Sequence, residues 1–456
     1  LLSSLHQLKL QIFVSQEKQH DNQLEGKQSV KKSLVKPKSG VIAALDVGST
    51  KICCLIARVE DLRKSKPGVS LSNIRVLGVG HNIAEGIRNG AIVDMESCEL
   101  SIRRAVQSAE TTANETIERV YINLSAGRPI SQIIEIHLDI NGHHIVEADL
   151  GKIIEQGKSI EISEDQELIH LLPVDFSIDG NRGVKDPCGM TGKSLTAQMH
   201  TVIGDAGPKK NLKTVVERCH LNIDSFVVSP LASGLACLVE DEVDLGVTIV
   251  DMGGGTTTIA IFFDGSVIFA DSLPVGGTHV TNDIARGLCT SVSEAERLKT
   301  LHGSAIRSAI DDRELLEIPQ TGSDAQTVVT QVEKSKLINI IQPRLEEIFE
   351  LIRISVSESE FESIAGRRVV LTGGASQLPG ICDLAQSVLK KQVRLGKPVR
   401  TNGLTDAVSG PAFSTSVGLL AYGIDPKFDN SSFGMADKIE PIGFFGKVGS
   451  WIRENF

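Results

Sequence analysis

The sequence predicts an α/β protein with two related domains, each built around a central mixed sheet. Short apolar runs at residues 41–45 and 247–250 each end in an aspartate and a glycine turn, and a second apolar run follows each turn, at residues 52–57 and 259–263. Runs that are apolar at nearly every position are typical of central strands covered on both faces. Because this strand–turn–strand unit occurs twice, we expect an internal repeat, and the 456 residues are enough for two or more domains.

The two turns are rich in residues that suit an anion. Glycine lets backbone N–H groups surround an anion without interference from a Cβ atom, and hydroxyl groups add donors for phosphate oxygens. The residues predicted to bind phosphate are Gly48, Ser49, Thr50, Lys51, Gly253, Gly254, Gly255, Thr256 and Thr257. Glycine-tipped hairpins that bind nothing are common, so the prediction depends on the repetition of the unit.

An aspartate precedes each of these turns, Asp46 in the first unit and Asp251 in the second. A carboxylate repels phosphate, so neither residue is expected to contact it directly. Mg²⁺ prefers oxygen ligands and keeps much of its hydration shell. Asp46 and Asp251 are therefore predicted to hold Mg²⁺ through its water molecules.

A third glycine turn follows a predicted strand at residues 368–371 and precedes a predicted helix at residues 378–390. This arrangement would bring the backbone of Gly373, Gly374 and Ala375 close to a flat adenine and its ribose. The three turns together predict a nucleotide-binding site.

The ordered set of turns resembles the actin-like ATPases, in which two phosphate-binding hairpins and a later adenosine-binding turn close over ATP between two related domains. Residues 229–235 resemble the first connecting helix of that superfamily, and residues 295–299 resemble a helix whose acidic and basic side chains reach the nucleoside. The resemblance implies ATP and Mg²⁺ as cofactors in a cleft between the domains. It also adds Glu296 and Lys299 to the predicted nucleoside-binding residues.

Within that superfamily, the chain resembles the FtsA family of bacterial cell-division proteins over roughly residues 41–456. Residues 186–192 and 217–221 are similar to a turn and a helix in and after the inserted subdomain of that family. Residues 341–348 are similar to a helix in the subdomain that binds the tail of FtsZ, and on it Arg344 is the predicted contact. A charge that only faces solvent is the alternative interpretation of Arg344.

The resemblance and the predicted elements together give a domain plan with inserted subdomains of the 1C and 2B types. Residues 331–357 are predicted to form one long helix of the 2B-type subdomain. The segments are a disordered extension (1–40), domain 1A (41–124, 203–244 and 409–424), the 1C-type subdomain (125–202), domain 2A (245–280 and 366–408), the 2B-type subdomain (281–365), a linker (425–440) and an amphipathic membrane-targeting helix (441–456).

Residues 441–456 contain the only tryptophan of the chain. A short helix with aromatic residues on one face and Lys and Arg beside them favours a membrane interface. Glycines in this segment each cost about 1 kcal/mol relative to Ala, so the helix is expected to fold on lipid and to need several linked copies for firm attachment. A helix packed on its own domain is the alternative. The residues predicted to enter the membrane are Phe444, Phe445, Val448, Trp451, Ile452 and Phe456.

Composition excludes several classes of function. The net charge of −10 disfavours nucleic-acid binding, which needs a basic face. The eight cysteines include no C-x-x-C pair, which favours buried thiols in a reducing cytosol. No run approaches the roughly 18 apolar residues that span a bilayer, so membrane attachment is expected to be peripheral.

Together with the glycine turns and the C-terminal segment, the resemblance to the FtsA family implies an ATP-binding, actin-like protein that polymerises and anchors FtsZ filaments to the cytoplasmic face of the inner membrane at the division septum. The resemblance implies further contacts between the inserted subdomain and other division proteins. At most slow ATP hydrolysis is expected, because Ser229 stands where polymerising relatives carry a Gln or Glu that orients the attacking water. A PilM-like scaffold for pili and a sugar kinase are the alternatives.

Overall fold

The computed structural model describes residues 40–59, 74–320, 329–398 and 408–424. The predicted linker and the predicted amphipathic helix, with its six membrane-facing residues, lie outside the described residues. So does the predicted N-terminal extension, apart from Gly40.

The described residues form strands and helices that alternate along most of the chain. In the first half these are β1 (Val41–Val47), β2 (Lys51–Val59), β3 (Ile74–Ile83), β4 (Ile87–Arg88), β5 (Ala91–Ile92), α1 (Met95–Ala113), β6 (Arg119–Leu124), β7 (Ile130–Asp139), α2 (Glu147–Lys158), β8 (Gln166–Ile178), β9 (Asn181–Val184), β10 (Ser194–Asp205), α3 (Ala206–Arg218) and β11 (Asn222–Val228). In the second half they are α4 (Ser229–Cys237), α5 (Glu240–Leu245), β12 (Val247–Met252), β13 (Thr257–Phe263), β14 (Ser266–Leu273), α6 (Gly277–Gly287), α7 (Val292–His302), β15 (Leu315–Pro319), β16 (Val329–Glu333), α8 (Lys334–Glu358), β17 (Arg368–Thr372), α9 (Ile381–Leu389), β18 (Gln392–Leu395) and α10 (Ser414–Ile424).

Two five-stranded mixed sheets share one topology. Their strand orders are β11-β6-β1-β2-β3 and β18-β17-β12-β13-β14. The strand that carries the aspartate is β1 in the first sheet and β12 in the second. β1 pairs antiparallel with β2 and parallel with β6, and β12 pairs antiparallel with β13 and parallel with β17. Asp46 lies opposite Cys53 and Asp251 lies opposite Thr258, so both hairpins have the same register. The predicted fold class, with two related domains and mixed sheets, is confirmed.

Both faces of each sheet are covered, as the continuous apolar runs predict. One face of β1 packs through Ala43 and Leu45 on α1 and α3, and the other face packs through Ile42 and Ala44 on α4 and α10. The inner face of the second sheet packs on α4, which in turn packs on α10, and its outer face packs on α6 to α9. Helices α4 and α10 therefore form a layer between the two sheets.

The inserted subdomain is a four-stranded sheet, β7-β10-β8-β9, with α2 packed on one face. Its three main strands have 10 to 13 residues. This subdomain contacts the edge strand of each large sheet. His170 Nε2 accepts a hydrogen bond of 3.0 Å from the N–H of Val228 in β11, and Ser131 Oγ accepts one of 2.8 Å from the N–H of Ala270 in β14.

The 2B-type region contains α6, α7, the β15–β16 hairpin and α8. The prediction of a helix from residue 331 is wrong at its start, because residues 331–333 belong to β16. Val332 lies opposite Leu316 of β15, and this cross-strand pairing extends the chain before α8 begins. Helix α8 then continues through Pro343. Within the described ranges we find no helix with the length and hydropathy needed to traverse a bilayer.

Candidate functional site

The two aspartate-bearing hairpins close in the same way. The N–H of Gly48 donates to the carbonyl oxygen of Lys51 at 3.0 Å, and the N–H of Gly253 donates to that of Thr256 at 2.9 Å. A Cβ atom added at Gly48 would lie 2.8 Å from the Lys51 oxygen, and one at Gly253 would lie 2.9 Å from the Thr256 oxygen. Both turns therefore require glycine at their first position.

A cavity of about 230 Å³ lies where the three glycine turns meet. The tips of the first two hairpins also touch, since a Cβ at Gly254 would overlap the side chain of Thr50 and a Cβ at Gly255 would overlap that of Ser49. The predicted site residues that line the cavity are Asp46, Gly48, Ser49, Thr50, Lys51, Ser229, Asp251, Gly253, Gly254, Thr256, Gly373 and Gly374. Most residues that line the cavity are therefore ones that the sequence singles out.

Five other predicted site residues do not line this cavity: Gly255, Thr257, Glu296, Lys299 and Ala375. The hydroxyl of Thr257 is fully buried and donates to the carbonyl oxygen of Val275 at 2.8 Å, so it is directed into the fold. Lys299 Nζ donates to Glu296 at 2.7 Å and to the carbonyl oxygen of Gly277 at 3.2 Å.

Lys299 and Ala375 nevertheless approach one another around Gly277. A Cβ added at Gly277 would lie 3.1 Å from Ala375 Cβ and 3.6 Å from Lys299 Nζ. The third glycine turn and helix α7 thus converge beside the second hairpin, on the side where the nucleoside was expected.

Asp46 and Asp251 are buried at the ends of β1 and β12, each 8% exposed. Burial raises the pKa of Asp46 to about 6; the negative charge of Asp251 adds to this, while Lys51 and Ser416 oppose it. Burial also raises the pKa of Asp251. Two carboxyl groups with raised pKa values in one cavity are suited to a bound cation, which would favour their ionised forms.

The donor set at this point suits Mg²⁺. Carboxylate oxygens are its preferred protein ligands, and it commonly binds through one or two carboxylates together with water and substrate phosphates. Among the residues that the structure describes, no cluster of three or more His, Cys, Asp or Glu side chains could enclose a metal ion. Asp46 and Asp251 would therefore contribute only part of its coordination, directly or through water.

Lys51 does not extend freely into the cavity. Its Nζ donates to the carbonyl oxygen of Ala412 at 2.5 Å and lies 3.5 Å from the centroid of the Phe413 ring. These contacts hold the ammonium group next to the first hairpin, where it lines the cavity wall. A phosphate group entering the cavity would find a positive charge already in position.

Ser229 opens helix α4 and is 3% exposed. Its hydroxyl shares a hydrogen bond of 2.6 Å with Ser125 and accepts one of 3.2 Å from Asn123 Nδ2. Asn123 Oδ1 in turn accepts the N–H of Val47 at 2.6 Å, which holds the first hairpin. Sequence reasoning missed Asn123 and Ser125, because a polar residue at the end of a buried strand is only a weak signal.

Sequence reasoning also missed the segment before and at the start of α10. Thr415 and Ser416 donate to Asp251 and Asp46 respectively. A run of hydroxyl residues beside an apolar helix was the available signal, but it did not identify the partners.

Arg344 lies outside this site, on α8. It forms ion pairs with Asp283, at 2.6 Å, and with Glu347. It lines a second cavity of about 180 Å³, together with Arg88 and Arg286. The predicted partner contact is therefore half-buried and paired, at the wall of a basic pocket.

Comparison with known proteins gives two matching family models. One, described as cell division protein FtsA, matches residues 248–418, and the other, described as the SHS2 domain inserted in FtsA, matches residues 127–203. The second range corresponds to the four-stranded inserted subdomain.

Curated relatives match over nearly the whole chain. The cell division protein FtsA of Rhizobium meliloti is 41% identical over 429 residues, which cover 93% of this chain and 97% of the relative. The protein of the same name from Escherichia coli K12 is 31% identical over 425 residues, which cover 91% of this chain and 98% of the relative.

Solved structures show the fold alone, because their sequence identity is low. The PilM–PilN type IV pilus biogenesis complex matches with a TM-score of 0.59 at 16% identity and covers 84% of this chain and 99% of the other. MreB5 of Spiroplasma citri bound to ADP matches with a TM-score of 0.51 at 13% identity and covers 85% of this chain and 97% of the other.

Proposed function

This chain belongs to the FtsA family of bacterial cell-division proteins, and from that premise we propose that it binds ATP with Mg²⁺ between its two domains and anchors FtsZ filaments to the cytoplasmic face of the inner membrane at the division septum. The observation that carries the proposal is the cavity in which all three glycine turns and both buried aspartates meet. In this proposal, the nucleotide contacts both domains and so stabilises the closed, polymerising conformation.

We propose roles for the residues in and beside the cavity. The backbone N–H groups of the two hairpins and the hydroxyls of Ser49, Thr50 and Thr256 bind the phosphates. Lys51 supplies charge, and Asp46 and Asp251 hold Mg²⁺. The third turn, with Lys299 and Glu296 nearby, binds the nucleoside. When bound, Mg²⁺ would offset the negative charge of the phosphates and of the two carboxylates.

Turnover of ATP is proposed to be slow. Ser229 reaches the cavity, but its hydroxyl already bonds to Ser125 and Asn123, and a serine hydroxyl is a poor base for activating water. The nucleotide then acts chiefly as a regulator of assembly.

The membrane and FtsZ contacts are proposed at two separate places. Residues 441–456 would lie in the lipid interface, and the basic pocket beside Arg344 would receive the FtsZ tail. Arg88, Arg286 and Arg344 give this pocket an excess of positive charge over its acidic residue Asp283, which favours an acidic or carboxylate-bearing segment.

ATP binding is tested by calorimetric titration of wild type, Lys51→Met and Lys210→Met in the presence of Mg²⁺. Lys210 is exposed on α3 and serves as the matched control. Loss of a charge-assisted phosphate contact should weaken binding about tenfold or more in Lys51→Met, with no change in Lys210→Met. Failure of the wild type to bind ATP would refute the nucleotide part of the proposal.

Anchoring is tested by liposome co-sedimentation with and without residues 441–456, with an FtsZ tail peptide added in a second arm. Truncation should abolish sedimentation, and Arg344→Glu should abolish recruitment of the peptide while leaving sedimentation intact. Arg353→Glu, on the same helix and exposed, is the control for the charge change. If Arg344→Glu recruits the peptide as well as the wild type does, the FtsZ tail binds somewhere other than this pocket.

A further inference from the structure

One short segment, from Pro411 to Ser416, contacts all three glycine turns. The carbonyl oxygen of Ala412 accepts the bond from Lys51 of the first turn, and that of Pro411 accepts one of 3.2 Å from the N–H of Gly373 in the third turn. The next residues contact the aspartates that precede the first and second turns. The segment also lines the cavity through Pro411, Ala412 and Thr415.

Adjacent hydroxyls of this segment hold the two aspartates. Thr415 Oγ1 donates to Asp251 Oδ2 at 2.7 Å, and Ser416 Oγ donates to Asp46 Oδ2 at 3.1 Å. Ser233 of α4 donates to the same oxygen of Asp251 at 2.5 Å and lies 3.0 Å from the Thr415 hydroxyl. Each hydroxyl is buried, so none of these bonds is exchanged freely with solvent.

The geometry points to Thr415 and Ser416 as positioning residues that hold Asp251 and Asp46 at the separation and orientation needed to bind Mg²⁺ together with a nucleotide. This inference rests on the proposed function, because the cation is the one expected to accompany ATP. It concerns residues that touch the aspartates and act through them.

The argument begins with the carboxylate oxygens. On both aspartates the hydroxyl donors engage Oδ2, and among the described residues no hydroxyl or N–H group donates to Oδ1 of either aspartate. A donor on one oxygen fixes the rotation of a carboxylate and leaves the second oxygen for the cation or its water. Without the Thr415 hydroxyl, Asp251 would keep only the bond from Ser233, and without the Ser416 hydroxyl, Oδ2 of Asp46 would lose its side-chain donor. Either carboxylate would then be less firmly oriented toward the cation.

The second step concerns the two domains. Asp46 belongs to the first sheet and Asp251 to the second, whereas Thr415 and Ser416 are consecutive residues in the first turn of α10. Mg²⁺ demands near-ideal octahedral geometry, so it is sensitive to small changes in the distance between its ligands. One helical turn that bonds both carboxylates therefore sets this distance and connects cation binding to the relative position of the sheets.

The test measures ATP affinity by calorimetry with excess Mg²⁺ and again with EDTA, and takes the ratio of the two dissociation constants. Thr415→Val removes the hydroxyl at nearly constant volume, and Thr415→Ser restores it. Thr248→Val is the matched control, because Thr248 is 1% exposed and donates to the carbonyl oxygen of Ala365, remote from the cavity. Ser416→Ala tests the contact with Asp46 independently.

We expect Thr415→Val and Ser416→Ala each to reduce the ratio of the two dissociation constants about tenfold, which corresponds to the loss of a hydrogen bond to a charged group. The ATP affinity of each variant in EDTA should stay within about twofold of the wild-type value. Thr415→Ser and Thr248→Val should match the wild type. Equal weakening with and without Mg²⁺, or no change in the ratio, would overturn the inference and leave the hydroxyls a purely structural role.

Failure of the inference can be distinguished from failure of the proposed function. A wild type that binds no ATP under either condition would refute both. A wild type whose ATP affinity rises with Mg²⁺, paired with variants that retain the full rise, would refute only the positioning role. Thermal melting of each variant without ligand checks that it is folded before its affinities are compared.

Discussion

Gly418 of α10 lies directly against Ala232 of α4, so closely that a Cβ atom added to Gly418 would overlap the carbonyl oxygen of Ala232. The two helices form the layer between the sheets, and the aspartates accept hydrogen bonds from Ser233 of α4 and from Thr415 and Ser416 of α10. This crossing therefore sets how near the two halves of the site can come.

Gly418→Ala should destabilise the protein by about 2 kcal/mol, because overpacking at the crossing outweighs the roughly 1 kcal/mol that Ala gains over Gly in a helix. Urea unfolding measures the change. Gly207→Ala, in α3, is the matched control, since no atom lies within 4 Å of its added Cβ. That variant should be unchanged or slightly more stable, and an equal loss in both would contradict the crossing as the cause.

Gly373→Ala should abolish ATP binding and cost about 1–3 kcal/mol of stability. Gly373 has φ +88°, which disfavours a side chain, and its added Cβ would overlap Oδ1 of Asp251. Gly374→Ala is the control, because its nearest atom would be Ala412 Cβ at 3.9 Å. We expect the stability of Gly374→Ala to stay within about 0.5 kcal/mol of wild type in urea unfolding. Tolerance of Ala at position 373 would refute the steric argument.

Asp46 should make the ligand-free protein less stable as the pH rises from about 4 to 6. Its pKa is raised from 3.8 to about 6, so the folded protein keeps a proton that the unfolded chain releases over this window. The contribution lost is on the order of 3 kcal/mol. Asp46→Asn, which cannot titrate, should decline less steeply than wild type in urea unfolding without nucleotide or Mg²⁺. Parallel pH profiles would show that burial does not perturb this group.

His170 should make the protein less stable as the pH falls, which is opposite to the effect of Asp46. Burial lowers the pKa of His170 to about 3, and the nearby His200 adds to the effect. The imidazole therefore stays neutral in the folded protein, whereas in the unfolded chain it gains a proton below about pH 6.5. Stability from this residue is therefore lost as the pH falls below 6.5. His170→Gln keeps an acceptor for the N–H of Val228 and should reduce the acid slope near pH 5 by about 1.4 kcal/mol per pH unit. An acid slope in His170→Gln equal to that of the wild type would contradict the effect of burial.

Ser131→Ala should loosen the contact between the inserted subdomain and the second sheet. The hydroxyl bonds to both the N–H and the carbonyl oxygen of Ala270 and to His200 Nε2. Leaving these partly buried groups unpaired should cost about 2 kcal/mol, and hydrogen exchange in β14 should accelerate. Ser357→Ala, an exposed serine on α8, is the control. Unchanged exchange in β14 would mean that the contact does not hold the edge strand.

Local patterns in the sequence determined the α/β class, the repeated hairpins and the glycine turns, because each depends on neighbouring residues. A buried strand needs a continuous apolar run, and a tight turn needs glycine, wherever they occur in a fold. The same locality explains the error at α8, where the pairing of Val332 with Leu316 across a hairpin took the first residues of the predicted helix.

The tertiary structure alone decided which side chains face the cavity and what holds them. Thr257 belongs to a hairpin with the right sequence, yet its hydroxyl bonds to Val275 inside the fold. Thr415 reaches Asp251 across a separation of 164 residues, because α10 packs on α4 between the sheets. The aspartates and the hydroxyls can be read from the sequence. Which hydroxyl pairs with which aspartate depends on how helices and sheets that are distant in the chain pack together, and no pattern among neighbouring residues encodes that packing.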